Sequence, residues 1–201
     1  MREGFRELTG RFVALRADDV DTDQIIPARF LTTTQRTGLG EHLFADWRRT
    51  SDGAAQPDFA LNRPEARHAC VLVAGRNFGC GSSREHAVWA LTDAGFRAVV
   101  ASSFADIFRA NAVGNGLLPV QLPPDVVQVL HTLGAGQLSI DLPNQRVSCG
   151  VEIAANFEID GFAKHCLLHG LDELEFLLGL DAQISTFEQT RDGRALDLVT
   201  T

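Results

Sequence analysis

The chain has 201 residues, of which 45% are hydrophobic and 22% are charged, the balance of a soluble globular protein. A chain of this length buries enough apolar surface to fold as one domain without a disulfide or a metal. The net charge of -8 argues against a nucleic-acid partner, because such proteins carry a basic surface. Lys164 is the only lysine, so arginine guanidinium groups must make most contacts with anions.

The N-terminal segment has no basic stretch followed by an apolar run, and no apolar stretch approaches the roughly 20 residues that span a bilayer. We therefore expect a cytoplasmic protein. The cysteines contain no Cys-x-x-Cys pair, which favours reduced thiols over disulfides, structural zinc or a cluster held by this chain. They stand at Cys70, Cys80, Cys149 and Cys166.

The first third of the chain is rich in turns. Residues Phe5–Arg16 predict a strand pair or one bent strand, and an acidic turn follows at Asp18–Asp23. Residues 28–64 contain many Gly, Pro and Thr residues, so we expect only short helical turns there. An irregular segment of that length is usually functional or mobile.

From residue 69 onward, short apolar runs alternate with helical patterns, which predicts an α/β fold with parallel strand pairing. Pro119 suits an edge strand. The predicted strands are Ala69–Ala74, Ala98–Ala101 and Leu117–Leu122, and the helices between them are Arg84–Gly95 and Phe104–Asn111.

After residue 122 the pattern becomes antiparallel. A helix is predicted at Asp125–Leu133, stopped by Gly134 and Gly136. Residues 191–201 lack an apolar pattern and predict a disordered tail. Between them we expect strands at Leu138–Leu142, Arg146–Cys149 and Val151–Ile159, and helices at Gly161–His169 and Asp172–Leu178.

The loop Gly75–His86 carries the strongest functional signal, because it follows a buried strand in the place where open α/β sheets bind ligands. Gly79 and Gly81 let a ligand approach the backbone. Ser82 and Ser83 are expected at the start of the next helix, whose free N–H groups favour an anion. Arg84 adds a bidentate donor that suits a carboxylate.

The residues alone leave an ordinary reading of this loop open. A strand–helix turn with a serine cap, followed by first-turn Arg84 and Glu85, explains the same composition. The spacing fits neither type of glycine-rich phosphate loop, and Gly79–Ser82 does not form the G-x-S-x-G of a nucleophile elbow.

The run GRNFGCGSSREHA resembles the signature loop of the aconitase superfamily's swivelling domain, in which N-[FY]-G-x-G-S-S-R-E-H recurs. Val20–Pro27 resembles the same domain's entry motif, D-T-D-x-I. The long bacterial form of the isopropylmalate dehydratase small subunits is similar over further segments. These are Ala28–Leu31, Arg36–Gly38, His42–Phe44, Ser103–Phe108, Asn111, Asn115, Leu117–Val120 and Asp181–Glu188.

This resemblance implies a three-layer β/β/α swivelling domain over residues 1–190, with a mixed, mostly parallel sheet and the Gly-rich loop at a helix N-terminus. Residues 28–64 would recognise the substrate. The implied activity is that of a hydro-lyase that interconverts 2-isopropylmalate and 3-isopropylmalate through isopropylmaleate. The resemblance also implies that this chain binds no cofactor, and that a separate large subunit carries a [4Fe-4S] cluster.

Residue by residue, the resemblance implies that Ser82 is the catalytic base and that Ser83 and Arg84 bind a substrate carboxylate. Thr22 and Asp23 match positions that line the same site. A further substrate-binding arginine is expected after the D-T-D motif, and we favour Arg36 over Arg29 for its Arg-Thr-Gly context.

Other reactive residues are expected to play structural parts. His86 lies inside a helix, Cys80 occupies the variable position of the motif, and His165 and His169 lack a third metal ligand. Two kinds of alternative remain: a homoaconitase or citraconate-type hydratase subunit, and a non-catalytic carboxylate-binding module.

Overall fold

A computed structural model describes residues 2–32, 35–82 and 84–196, with side chains through residue 190. Ser83 and residues 197–201 therefore lie outside the described part. All strands of that part belong to one sheet, in the order β4-β3-β2-β1-β5-β6-β7. Their bounds are β1 (Glu7–Ala14), β2 (Ala69–Val73), β3 (Ala98–Ala101), β4 (Leu118–Gln121), β5 (Ala135–Asp141), β6 (Arg146–Cys149) and β7 (Ile153–Asn156).

The sheet is mixed, as expected. Strands β1 to β4 form a parallel block, whereas β5, β6 and β7 extend it from β1 by antiparallel pairing. Three of the six pairings are thus parallel. The two β layers that the resemblance implies are hydrogen-bonded into a single sheet.

The longer helices follow the predicted order with one addition at the C-terminal end, and the end of the predicted acidic turn begins a further short helix at Thr22. Only short helical turns interrupt residues 28–66, as predicted for that segment. The helices are α1 (Thr22–Ile25), α2 (Ala45–Arg48), α3 (Glu85–Asp93), α4 (Asp106–Gly114), α5 (Pro124–Leu133), α6 (Gly161–His169), α7 (Glu173–Gly179) and α8 (Asp181–Leu196). Helix α8 includes the start of the predicted tail at 191–201, and disorder beyond it stays a prediction.

The apolar runs of the parallel strands are buried on both faces of the sheet. In β2, Leu72 packs into a core with α3, α4 and the 28–66 segment, while Val71 and Val73 face a second core. Helix α5 packs into that second core through Val127 and Leu130. Because successive side chains of a strand point to opposite faces, a continuous apolar run is what helices on both faces require.

The C-terminal ends of parallel neighbours meet at one edge of a sheet. Here β1 is followed by the acidic turn, β2 by the Gly-rich loop and β3 by Ser102–Ala105. The fold therefore brings three sequence-distant segments to one place.

Candidate active site

The Gly-rich loop is held on both sides by backbone hydrogen bonds. On the β1 side, the Gly79 N–H donates to the Val20 carbonyl at 2.7 Å, and the Thr22 N–H donates to the Cys80 carbonyl at 3.0 Å. On the β3 side, the Phe78 N–H donates to the Ser103 carbonyl at 3.0 Å. These bonds fix the path of the loop before it reaches Ser82.

Gly79 is required by its conformation and by its neighbour. Its φ is +78°, in the left-handed region, and a Cβ built there would lie 2.2 Å from Cγ of Phe108. The Phe108 ring in turn packs edge-on against Phe78, with centroids 5.2 Å apart. No larger residue fits without displacing α4 or the loop.

The acidic turn supports the loop through Thr22. Helix α1 begins with a capping box, in which Asp21 accepts from the Gln24 N–H at 2.7 Å. Thr22 is only 2% exposed, and its hydroxyl donates to the Ser82 carbonyl at 2.8 Å. In this structure Thr22 holds the backbone of Ser82 and does not face solvent.

The helix after the loop begins later than predicted. Helix α3 starts at Glu85, with Arg84 in the N-cap position and no side-chain cap bond. The expectation that Ser82 stands at the helix start is wrong by two residues, because Arg84 adopts extended backbone angles. Ser82 is exposed on the loop just before the cap, and Ser83, the other predicted serine, lies outside the described residues.

Arg84 and Asp23 meet across the site. The Arg84 guanidinium donates through Nη1 to the Asp23 carboxylate, and the two side chains are 22% and 49% exposed. The predicted anion-binding donor, Arg84, is thus present, and in the isolated chain it is paired with the carboxylate of Asp23.

The two candidate arginines of the recognition segment have different surroundings. Arg29 pairs with Asp46 of α2, which lowers the pKa of that carboxyl, chiefly through their side-chain hydrogen bond. Arg36 instead lies at the first turns of α3. Its guanidinium is 5.3 Å from the Trp89 ring centroid, and its Nη2 is 4.0 Å from Oε1 of Glu85. Arg36 thus contacts the helix that follows Arg84, whereas Arg29 contacts α2.

Asn115 belongs to this neighbourhood, although the sequence did not single it out as a site residue. The Asn115 amide donates to Glu85 Oε1 at 2.8 Å and accepts from the Trp89 indole N–H at 3.0 Å. Asn115 was noticed in the sequence only as part of the family resemblance, and no local pattern indicates that it reaches α3.

The other reactive side chains have structural surroundings. Burial raises the pKa of the Cys80 thiol, and Asp21 and Asp19 add to the rise, so the thiolate is disfavoured. The His86 ring lies 4.5 Å from the Trp89 ring, and Nδ1 of His169 bonds the His165 carbonyl. Among the described residues, no three His, Cys, Asp or Glu side chains converge to hold a metal ion.

Within the described ranges, no helix combines the length and apolar character needed to cross a membrane.

Comparisons with known proteins agree with the family resemblance that the motifs carry. The profile of the aconitase C-terminal domain family matches residues 2–125. The 3-isopropylmalate dehydratase small subunit of Anaeromyxobacter dehalogenans (strain 2CP-C) is 54% identical over 189 residues, which cover 94% of this chain and 99% of the relative. That of Roseiflexus sp. (strain RS-1) is 53% identical over 193 residues, covering 94% and 95%.

A solved structure gives the same result for the fold. The crystal structure of 3-isopropylmalate dehydratase (leuD) from Methanocaldococcus jannaschii superposes with a TM-score of 0.67 at 30% identity. The match covers 90% of this chain and 98% of the other. The chain therefore belongs to the aconitase C-terminal domain family and, within it, to the 3-isopropylmalate dehydratase small subunits.

Proposed function

We propose that this chain forms, with a large subunit, a cytoplasmic hydro-lyase that interconverts 2-isopropylmalate and 3-isopropylmalate through isopropylmaleate. The observation that carries the proposal is that the segments after β1 and β2 are joined twice, by the Arg84–Asp23 ion pair and by the Thr22 hydroxyl on the carbonyl of the exposed Ser82. An exposed serine two residues before an arginine suits a substrate that carries carboxylates next to the carbon that loses a proton.

Ser82 is the proposed base. As an alkoxide, its Oγ takes the proton from one carbon, and the electron pair of that C–H bond becomes the double bond of isopropylmaleate. The C–O bond of the neighbouring carbon breaks, and the oxygen departs with its electron pair as hydroxide, which a Lewis acid on the partner subunit would accept. Water then adds with the opposite orientation. A serine anion needs nearby donors, and the guanidinium of Arg84 and the free N–H groups at the start of α3 are suited to that need.

Arg84 and Arg36 are the proposed carboxylate ligands, together with Ser83. Arginine binds carboxylates through two parallel hydrogen bonds, which fixes the plane of the substrate as well as its charge. The Asp23 carboxylate already occupies Arg84 in the free chain, so the incoming substrate carboxylate joins or replaces it. Thr22 acts indirectly, by holding the backbone of Ser82 through a hydrogen bond.

The [4Fe-4S] cluster is proposed to sit on the partner subunit. The cysteines of this chain do not suit it, because they are scattered free thiols, and among the described residues no three His, Cys, Asp or Glu side chains come together. They are Cys70, Cys80, Cys149 and Cys166. In the family, the cluster supplies an open iron for the substrate hydroxyl and one carboxylate. This chain's share is the base and the remaining carboxylate contacts.

The test is reconstitution with the cognate large subunit, iron and sulfide, followed by an assay for isopropylmaleate. Wild-type complex should be active, and Ser82→Ala should lose roughly a thousandfold in kcat, as expected on removing a general base. Ser148→Ala, the same change on an exposed position of β6, is the matched control. Full activity of Ser82→Ala in a well-formed complex would overturn the proposal.

Two further measurements address the alternatives. Titration of isopropylmalate into the isolated chain should show weak binding, whereas a free-standing carboxylate-binding module should bind tightly without a partner. Competition between isopropylmalate, homoaconitate and citraconate-type acids in the reconstituted complex then separates the hydratase subunits, which differ mainly in the segment around residues 28–37.

A further inference from the structure

A polar cluster at the start of α3 joins three segments that are far apart in sequence. Arg36 comes from the recognition segment, Glu85 and Trp89 from α3, and Asn115 from the C-terminal end of α4. Glu85 and Trp89 are separated by four residues, so they share one face of the helix. Asn115 and Arg36 both contact that face.

The Asn115 side chain is fully used. Its Nδ2 donates to Glu85 Oε1 at 2.8 Å and to the Asn111 carbonyl at 2.9 Å, while its Oδ1 accepts from Trp89 Nε1 at 3.0 Å. An indole N–H only donates and a carboxylate only accepts, so this orientation of the amide is the one the partners permit. A residue of similar size without both functions cannot hold Glu85 and Trp89 together.

The two groups that Asn115 fixes are the two that surround Arg36. Glu85 Oε1, the oxygen that Asn115 bonds, lies 4.0 Å from Arg36 Nη2. The Trp89 ring, whose N–H Asn115 accepts, lies 5.3 Å from the Arg36 guanidinium carbon. Both Arg36 and Glu85 are substantially exposed, at 63% and 44% of the side chain, so neither contact is strong by itself.

We infer that Asn115 is a positioning residue, which orients Glu85 and Trp89 so that Arg36 is held ready for a substrate carboxylate. The inference rests on the proposed function of Arg36. In this role Asn115 acts through Glu85 and Trp89. By ordering Arg36 before the substrate binds, Asn115 lowers the conformational entropy that this long, exposed side chain loses on binding. Removing Asn115 therefore raises KM more than it lowers kcat.

The test compares Asn115→Leu, which keeps the approximate size and removes both hydrogen bonds, with wild type in the reconstituted complex. KM should rise roughly three- to tenfold, the range for losing an exposed ion pair and a cation–π contact, with kcat within about twofold. Glu85→Gln, which can still accept from Asn115 but has no charge for Arg36, should give a similar rise. Gln128→Leu, an amide-to-leucine change on exposed α5, is the matched control.

A second background separates positioning from general damage. In Arg36→Ala, the further change Asn115→Leu should have no additional effect on KM, because the group it positions is gone. An equal rise of KM in both backgrounds, or a loss confined to kcat, would overturn the inference. So would Asn115→Leu with unchanged KM.

A third measurement does not depend on activity. In 15N spectra of the isolated full-length chain, the Arg36 Nε–H signal should show an ordered side chain in wild type and a mobile one in Asn115→Leu. If the wild-type complex is inactive, the proposed function fails while this result still decides the positioning role. An Arg36 signal that is equally ordered in both proteins would overturn it.

Discussion

The Arg84 guanidinium donates to the Asp23 carboxylate, and this pair joins the N-terminal end of α3 to α1. The two residues come from the two motifs that carry the family resemblance, 61 positions apart in sequence. Their pairing links the two motifs in the folded chain, since each supplies a charge that the other fixes.

Replacing Asp23 with Ala should leave Arg84 without a fixed orientation. We expect kcat/KM to fall roughly tenfold, and the free energy of unfolding to change by no more than about 1 kcal/mol, since half of the Asp23 side chain is exposed. Kinetics of the complex and urea denaturation check the two parts. Asp125→Ala on α5 is the control, and a rise of kcat/KM in Asp23→Ala would mean that Asp23 competes with substrate.

Thr22 should act on catalysis through the backbone of Ser82. Thr22→Val removes the donor to the Ser82 carbonyl, a bond that contributes about 1 kcal/mol, so we expect kcat to fall about fivefold. Thr22→Ser keeps the hydroxyl and should retain most of the activity. Full activity of Thr22→Val together with a loss in Thr22→Ser would show that the methyl group, and not the hydroxyl, is what matters.

Gly79→Ala should be strongly destabilising. The new Cβ meets the Phe108 ring, and the left-handed backbone adds its own cost, for a total of about 2–5 kcal/mol by urea denaturation. Gly95→Ala is a matched control, because Gly95 has a φ of +98° but open space around its Cβ position. It should lose only about 1–2 kcal/mol. Similar losses at both positions would mean that packing against Phe108 contributes nothing.

His131 should make stability depend on pH. Burial lowers its pKa from the ordinary value of 6.5, and the charge of Arg16 lowers it further. The unfolded chain therefore takes up the proton first as pH falls. Stability is complete above about pH 7 and declines below pH 6.5, with a slope of up to about 1.4 kcal/mol per pH unit from this residue.

Urea denaturation at several pH values measures that slope, and His131→Leu should reduce it between pH 7 and the lowered pKa. His68→Asn, at an exposed histidine whose φ of +60° asparagine tolerates, is the matched control. If His131→Leu and wild type show the same slope, another group is responsible.

The sequence predicts most of the fold because the parallel strands are buried on both faces. Such strands appear as continuous apolar runs, and β3 matches the predicted range at Ala98–Ala101. The antiparallel strand β6 instead has alternating exposed and buried residues, and it matches the predicted range at Arg146–Cys149. The start of β5 was missed, because Gly134 and Gly136 were both interpreted as a helix stop. In the structure Gly136 pairs with Phe12 inside the sheet. Helix α8 was missed because it has no apolar face to reveal its period.

The site was predictable where residues are adjacent in a motif and unpredictable where contacts cross segments. The motif places Ser82 and Arg84 on one loop, yet it does not show that Thr22 turns its hydroxyl to the Ser82 carbonyl. Nor does it show which arginine lies near α3. That choice depends on how Glu85 and Trp89 face the 28–66 segment, which is a property of packing.

The backbone bonds on both sides of the Gly-rich loop have a consequence for how the two subunits would work together. Gly79 is bonded to Val20 and Phe78 to Ser103, so the loop is tied to both neighbouring segments and moves with the sheet. In the proposed complex, opening and closing of the site would then be a movement of the whole chain against its partner. Release of product would be set by how firmly the two surfaces adhere, and the rate of turnover would respond to substitutions at the interface far from Ser82.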